Sequence, residues 1–148
     1  MSTGIPRLFR KLSSIPDRFF VLAARISMAA FFIRAGQTKV LWGDDGLALT
    51  SGAKYLFEQE YKVPVLPYET AAWLATGAEH LFPVLLIAGL ATRLSALGLL
   101  GMTLVIQVFV YPGSWPDHLL WATALLFIAA RGPGPLALDN VICKKMGG

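Results

Sequence analysis

The stretch TAAWLATGAEHLFPVLLIAGLATR, residues Thr70–Arg93, decides the fold. Its segment Ala71–Ala91 is long and apolar enough to cross a bilayer, because about 20 apolar helical residues span a hydrocarbon core of roughly 30 Å. Glu79 and His80 lie near its middle, and a carboxylate at that depth costs about 2.5–3.5 kcal/mol unless it faces the protein interior and has a partner. Pro83 cannot donate to the Glu79 carbonyl, so we expect the helix to kink or loosen there. Glu79 is therefore the first candidate functional residue.

The composition extends this interpretation to the whole chain. Of its 148 residues, 55% are hydrophobic and only 15% are charged, whereas a soluble domain carries about 25% charged residues. The deficit is concentrated in four apolar runs, which leave no room for a soluble domain. The basic residues lie at the ends of these runs and form no patch with stacking aromatic residues, so nucleic acid is not an expected partner. Cys143 is the single cysteine, which excludes an intrachain disulfide.

These runs predict an all-α membrane protein, a four-helix transmembrane bundle in a single domain of residues 19–142. A basic cytoplasmic arm, residues 1–18, precedes the domain, and a cytoplasmic tail, residues 143–148, follows it. The fourth predicted span is short, since fifteen helical residues extend only about 22 Å. The predicted spans are residues 19–41, 71–91, 94–111 and 116–130.

One long connection, residues 43–69, separates the first two spans. It begins with GDDG, which predicts a turn. Leu49, Ala53, Leu56 and Phe57 then recur at helical spacing beside charged residues. We therefore expect an amphipathic helix in the first outer loop, lying on the membrane or capping the bundle.

Lys and Arg residues near the ends of the spans or beyond them predict the orientation. Eight of them lie on the side of the two termini and three on the opposite side, and cytoplasmic loops carry the excess of positive charge. We therefore expect four crossings with both termini in the cytoplasm. The eight are Arg7, Arg10, Lys11, Arg18, Arg93, Arg131, Lys144 and Lys145, and the three are Lys39, Lys54 and Lys62.

Several polar residues and glycines inside or beside the spans are candidate site residues. Glu79 and His80 are the catalytic candidates, because a titratable group inside a membrane span marks a functional site. Small residues allow helices to approach closely, so we expect close helix–helix contacts at Gly36, Gly98 and Gly101. The polar residues expected to form a buried network are Arg25, Lys39, Glu79, Arg93, Gln107 and His118.

The cation that pairs with Glu79 is the main open question within this network. Counting helical rise from the cytoplasmic ends places Arg25 about 6 Å below the level of Glu79 and Lys39 about 15 Å above it. This favours Arg25 as the partner. The two side chains lean apart, however, so pairing through a water, or with Lys39 after a tilt, stays open. A buried ion pair that only fixes helix packing is the alternative to a chemical role for Glu79.

Four short motifs together resemble the DoxX type of protein, a family of small bacterial four-helix membrane proteins. Their order and spacing cover nearly the whole chain, although each motif is short and degenerate alone. The motifs are FFIRAGQTK at 31–39, KYLFEQEYKVP at 54–64, GLATR at 89–93 and GPGPLALD at 132–139.

The resemblance implies a multi-pass protein of the bacterial cytoplasmic (inner) membrane. Members of the family are linked to a quinone-reducing thiosulfate oxidoreductase and to membrane complexes that handle thiol and peroxide stress. The resemblance therefore implies a quinone-linked redox subunit with a protein partner or a second copy. A quinone is the cofactor candidate and no covalently bound group is expected. His80 and His118 lie at different depths, so no metal site is expected either.

Three functions remain open at the level of the sequence, and with them whether the chain is an enzyme. The first is a membrane subunit of a quinone-linked redox complex. The second is a non-catalytic membrane anchor or assembly factor. The third is a small-solute or proton-coupled carrier. The lipid bilayer is the expected environment in each case.

Overall fold

Long apolar runs form helices here because backbone groups in hydrocarbon must find their hydrogen-bond partners within the same segment. The computed structural model describes residues 14–44, 46–61 and 63–146, and in these ranges it has four long helices. They coincide with the four predicted spans to within a few residues at most ends. The long helices are α1 (Asp17–Gln37), α3 (Tyr68–Ala88), α4 (Thr92–Val105) and α5 (Trp115–Arg131).

Shorter elements fill the connections. A two-stranded antiparallel hairpin, β1 (Val40–Gly43) and β2 (Gly46–Leu49), follows α1. The short helix α2 (Ser51–Tyr55) and a π-helical segment (Leu56–Glu60) lead towards α3. A second π-helical segment (Ile106–Val110) and a 3₁₀ turn (Pro112–Ser114) join α4 to α5, and α6 (Leu138–Met146) ends the described chain.

The long helices pack into a bundle in which α1 contacts α3 and α5, and α4 contacts α3 and α5. One large side chain from each helix meets at its centre, namely Phe32, Leu86, Leu99 and Leu125, and all four are at most 1% exposed. A Leu or Phe buried in this way contributes about 1.5–3 kcal/mol in water. The bundle therefore has a continuous core from its own side chains.

Three helical stretches are long and apolar enough to cross a membrane: Asp17–Gln37, Tyr68–Ala88 and Thr92–Val110. Many large apolar side chains on their outer faces are exposed, as a bilayer requires. Helix α5 has 17 residues, or about 26 Å, and packs against α1 and α4. At Pro83, where the sequence predicted a kink or a loosening, α3 is not interrupted, since the helix continues to Ala88.

The first outer connection differs in part from the prediction. The GDDG segment does turn the chain, but residues 40 and 41, assigned to the first span, belong to β1. The expected amphipathic helix is present as α2 and its π-helical continuation. Leu49, Ala53 and Phe57 are buried, and Phe57 packs against Ala71 and Ala72 at the start of α3. This connection therefore caps one end of the bundle.

At the other end, α3 and α4 are joined by a very tight turn. Gly89 ends α3 at φ +67°, and Ala91 precedes α4 at φ +46°, both in the left-handed region. A side chain at Gly89 would collide with Ala137 and with the Arg25 guanidinium. The predicted cytoplasmic arm lies mostly outside the described residues, and α6 runs across the predicted boundary between residues 142 and 143.

Candidate functional site

A cavity of about 440 Å³ lies inside the bundle, next to the capping connection. Its walls are mainly apolar and aromatic, with contributions from α1, α3, the second π-helical segment and α5. The aromatic part of the wall is formed by Phe31, Phe32, Phe57 and Trp121. The polar or titratable side chains that reach it are Lys39, Tyr61, Glu79, Tyr111 and His118.

Lys39 and Glu79 form an ion pair on the cavity wall. The Lys39 ammonium lies 2.9 Å from Oε1 and 2.7 Å from Oε2 of Glu79, and it also donates to the carbonyl of Ala35 at 3.1 Å. The Glu79 side chain is 5% exposed and that of Lys39 is 17% exposed. Glu79 is therefore buried and paired, as an intramembrane carboxylate must be.

The expected pairing of Glu79 with Arg25 is wrong. Helical side chains lean towards the N-terminus of their own helix, so Glu79 leans towards the start of α3. Lys39, just beyond the end of α1, reaches back along its helix as far as Ala35 and meets the carboxylate there. Lys39 had been left open as the alternative partner.

Arg25 instead occupies a separate site near the tight turn. Its guanidinium is 1% exposed and donates to four backbone carbonyls. Two of them, Leu86 and Ile87, lie in the last turn of α3. The other two, Pro133 and Leu136, lie in the connection that follows α5. Arg25 thus ties α1, α3 and this connection together.

His118 and Gln107 form the second polar contact of the cavity. His118 is 4% exposed, and its Nδ1 lies 2.6 Å from Oε1 of Gln107. The Gln107 amide nitrogen donates to the carbonyl of Pro112 at 2.9 Å. This fixes the amide orientation, so Oε1 accepts and His118 Nδ1 must donate. A neutral His118 then has an unprotonated Nε2.

Two tyrosines close the cavity at its exposed end. Tyr61 and Tyr111 each follow a π-helical segment, and their hydroxyls are hydrogen-bonded at 2.8 Å. Burial raises the pKa of the Tyr61 phenol, and the contact with Tyr111 raises it further. Tyr61 therefore stays uncharged at neutral pH.

The predicted site residues fall into separate groups. Glu79 lines the cavity, whereas His80 packs against Gly36 and contacts the Thr76 carbonyl through Nδ1 at 2.8 Å, away from the cavity wall. Arg93 is exposed and binds the carbonyls of Ala129 and Ala130. The six residues expected to form one network thus form the Lys39–Glu79 pair, the Gln107–His118 pair and two separate arginine sites.

The packing glycines also differ from one another. A side chain at Gly36 would meet His80 and Glu79, and one at Gly98 would meet the Phe82 ring. Gly101 has open space around it among the described residues and makes no close helix contact there.

Sequence reasoning did not identify Tyr61 or Tyr111 as candidate site residues. The available signal was the four-residue spacing of Phe57 and Tyr61, which puts both rings on one face of the amphipathic segment. The two rings do pack together, with centroids 5.0 Å apart. In the described ranges, no three His, Cys, Asp or Glu side chains are grouped as a metal site requires.

Comparison with protein families identifies one that covers most of the chain. The DoxX family model matches residues 20–112. An uncharacterized protein of Haemophilus influenzae is 30% identical over 116 residues, which cover 68% of this chain and 75% of that protein. No solved structure gives a significant match. The matched region runs from the start of α1 to the end of the second π-helical segment and includes Lys39, Glu79 and Gln107, and on this basis the chain belongs to the DoxX family.

Proposed function

We propose that this protein is an integral membrane subunit of a quinone-linked redox complex in the bacterial cytoplasmic membrane. The cavity carries the proposal. Its volume of about 440 Å³ lies within the range of roughly 300–1,000 Å³ that is usual for small-molecule sites. Apolar walls with a few fixed polar groups are also typical of such sites.

The chemistry of the walls favours a flat ring ligand. Phe31 and Trp121 lie 4.2 Å apart between ring centroids on one side of the cavity, and Phe57 adds a further ring. A planar ring stacks well on such surfaces. Quinone rings also carry oxygens that exchange protons, and Glu79 and His118 are titratable groups within the same cavity. Glu79 and His118, rather than His80, are therefore our candidates for contact with the ring.

The electron donor belongs to a partner in this proposal. The single cysteine of the chain cannot form an intrachain disulfide, so oxidation of thiosulfate or of a thiol would take place on another subunit. The protein would contribute the membrane anchor and the quinone site. Four crossings with both termini in the cytoplasm belong to the same proposal. The packing of α5 along α1 and α4 supports a fourth crossing.

Purification from native membranes tests the proposal. Mass spectrometry of the gently solubilised protein should identify a bound isoprenoid quinone and a co-purifying soluble or membrane partner. Leu74→Trp provides a matched variant, because Leu74 lines the cavity from an exposed position on α3 and a larger ring there would fill it. Leu81→Trp, at an exposed position of the same helix outside the cavity, is the control.

We expect the bound quinone to be lost in Leu74→Trp and retained in Leu81→Trp. A partner without any quinone would favour an anchor or assembly factor. Solute uptake by proteoliposomes that contain this protein alone would favour a carrier.

A further inference from the structure

We infer that the cavity holds its ligand through the ligand's own hydroxyl groups, and therefore binds a hydroquinone more tightly than the corresponding quinone. The inference rests on the proposed function and specifies which form of the ring the site prefers. It follows from the donors and acceptors of the cavity wall that remain free once the hydrogen bonds within the protein are counted.

The Lys39–Glu79 pair has no donor to spare. An ammonium carries three N–H groups, and Lys39 directs them at Ala35 and at both oxygens of Glu79. A carboxylate has about four lone-pair sites, of which Lys39 occupies two. On this wall the pair can therefore only accept hydrogen bonds.

His118 is limited in the same way. Its Nδ1–H is committed to Gln107, whose orientation is set by the Pro112 carbonyl. Nε2 is the remaining ring nitrogen, and it has no partner in the part of the chain that the structure describes. A neutral imidazole with its proton on Nδ1 offers a lone pair at Nε2. His118 is thus a second acceptor in the cavity.

Among the described side chains that line the cavity, the two tyrosines supply the one free hydrogen-bond donor. Whichever hydroxyl accepts in the Tyr61–Tyr111 contact keeps a free O–H, but this contact is at the exposed end of the cavity. The buried polar groups of the wall, Glu79 and His118, can each accept a hydrogen bond from a ligand and have none to donate. A ring hydroxyl can donate a hydrogen bond to such an acceptor. A quinone carbonyl cannot, so the wall acceptor and the carbonyl oxygen would both stay unpaired.

Binding of three matched probes to the unmodified protein tests the inference. Decylhydroquinone, its dimethyl ether and decylbenzoquinone are titrated under anaerobic conditions, and tryptophan fluorescence reports occupancy because Trp121 lines the cavity. We expect the hydroquinone to bind at least about tenfold more tightly than either of the others, since each lacks the donors. Equal or tighter binding of the benzoquinone would overturn the inference and leave the proposed function standing. Failure of all three to bind would contradict the proposed function, and the inference with it.

A positioning variant separates hydrogen bonding from shape. In Gln107→Leu the imidazole can carry its proton on either nitrogen, so the hydroquinone-to-quinone affinity ratio should fall towards one. Gln107→Glu places a carboxylate against Nδ1, which favours an imidazolium whose Nε2 donates, so the ratio should fall in this variant too. Gln37→Leu is the matched control, because Gln37 is exposed at the end of α1. An unchanged ratio in folded Gln107→Leu protein would show that the His118 tautomer does not set the preference.

Discussion

At the scale of single residues, Arg25 in α1 and Lys39 just beyond its end bind different kinds of partner. The guanidinium of Arg25 has five donors in a fixed fork, which suits several backbone carbonyls at once. Two of those carbonyls lie in the last turn of α3, where the partial negative charge of the helix favours a cation. The compact ammonium of Lys39 instead meets a single carboxylate. Arg25 is thus buried with four backbone carbonyls as its hydrogen-bond partners, and the Asp139 carboxylate is near enough to interact with its charge.

The Lys39–Glu79 pair predicts strongly non-additive mutations. Lys39→Met or Glu79→Gln alone leaves one group of the pair buried without its charged partner, which costs about 3–5 kcal/mol, whereas removal of both can be nearly neutral. We expect each single variant to lower the melting temperature of the purified protein and the double variant to recover most of the loss. Arg25→Leu combined with Glu79→Gln is the control and should give additive losses, because these residues bind different partners. Additive losses for Lys39 and Glu79 would contradict the pairing.

The sequence predicted that Glu79 is buried and paired, because a carboxylate inside an apolar span has no other stable arrangement. Its partner could not be predicted from helical depth. Arg25 finds its acceptors in the irregular segment around Pro133 and Leu136, whose path a depth count does not supply. The cavity could not be predicted from the sequence either, because Tyr61 and Phe57 reach it from a connection whose docking depends on tertiary packing.

At the scale of elements, α6 secures the tight turn between α3 and α4. The Asp139 carboxylate accepts from the backbone N–H groups of Ala91 at 2.7 Å and Thr92 at 3.0 Å, at the N-terminus of α4. The Asp139 N–H donates to the Gly89 carbonyl. The last helix of the described chain thus caps the start of a membrane helix 48 residues earlier.

Asp139 should make stability depend on pH. Partial burial raises the pKa of its carboxyl, but the hydrogen bonds from Thr92 and Ala91 and the nearby Arg25 outweigh this and lower it below the ordinary value of 3.8. The folded-state pKa is depressed, so the stabilisation is complete above pH 3.8 and is lost as the pH falls through the folded-state pKa. Asp139→Asn should cost about 1 kcal/mol at neutral pH, with the gap to the unmodified protein narrowing in acid.

Chemical unfolding followed by tryptophan fluorescence between neutral and strongly acid pH measures this gap. Asp117→Asn is the matched control, since Asp117 is exposed in the first turn of α5. A gap that stays constant down to the lowest pH would show that the charge of Asp139 contributes nothing.

The contact between α1 and α3 depends on Gly36. A Cβ there would lie 2.7 Å from the His80 ring and 3.1 Å from the Glu79 Cβ, and overpacking of this kind costs about 1–3 kcal/mol. Gly36→Leu should therefore lower the yield and melting temperature. Gly77→Leu on α3, with open space around the residue, should be mild. Equal behaviour of the two variants would disprove close packing at Gly36.

At the scale of the whole molecule, the apolar runs were sufficient to predict a mostly helical membrane protein, and the described ranges contain three helical stretches long and apolar enough to cross a membrane. The hairpin β1–β2 was not predicted, because each strand has four residues and β1 continues the apolar run of α1. Strand pairing over so short a distance is decided by the turn and by packing on the bundle, and alternation along four residues gives too weak a signal.

The orientation of this bundle is the prediction that bears on all the others, because it decides which side of the membrane the cavity opens to. Arg131 pairs with Asp17 at 2.9 Å, which brings the end of α5 beside the start of α1. At the opposite end, Tyr111 before α5 meets Tyr61 in the capping connection. Helix α5 therefore runs antiparallel to α1 over the length of the bundle.

Reporters fused after Gly148 and inserted at Arg93 should read cytoplasmic, and one inserted in residues 43–69 should read outside, because positive charge is concentrated on the side of the termini. An outside signal after Gly148 would mean that α5 does not cross. An inverted pattern at all three positions would instead place the tyrosine-lined end of the cavity on the cytoplasmic side.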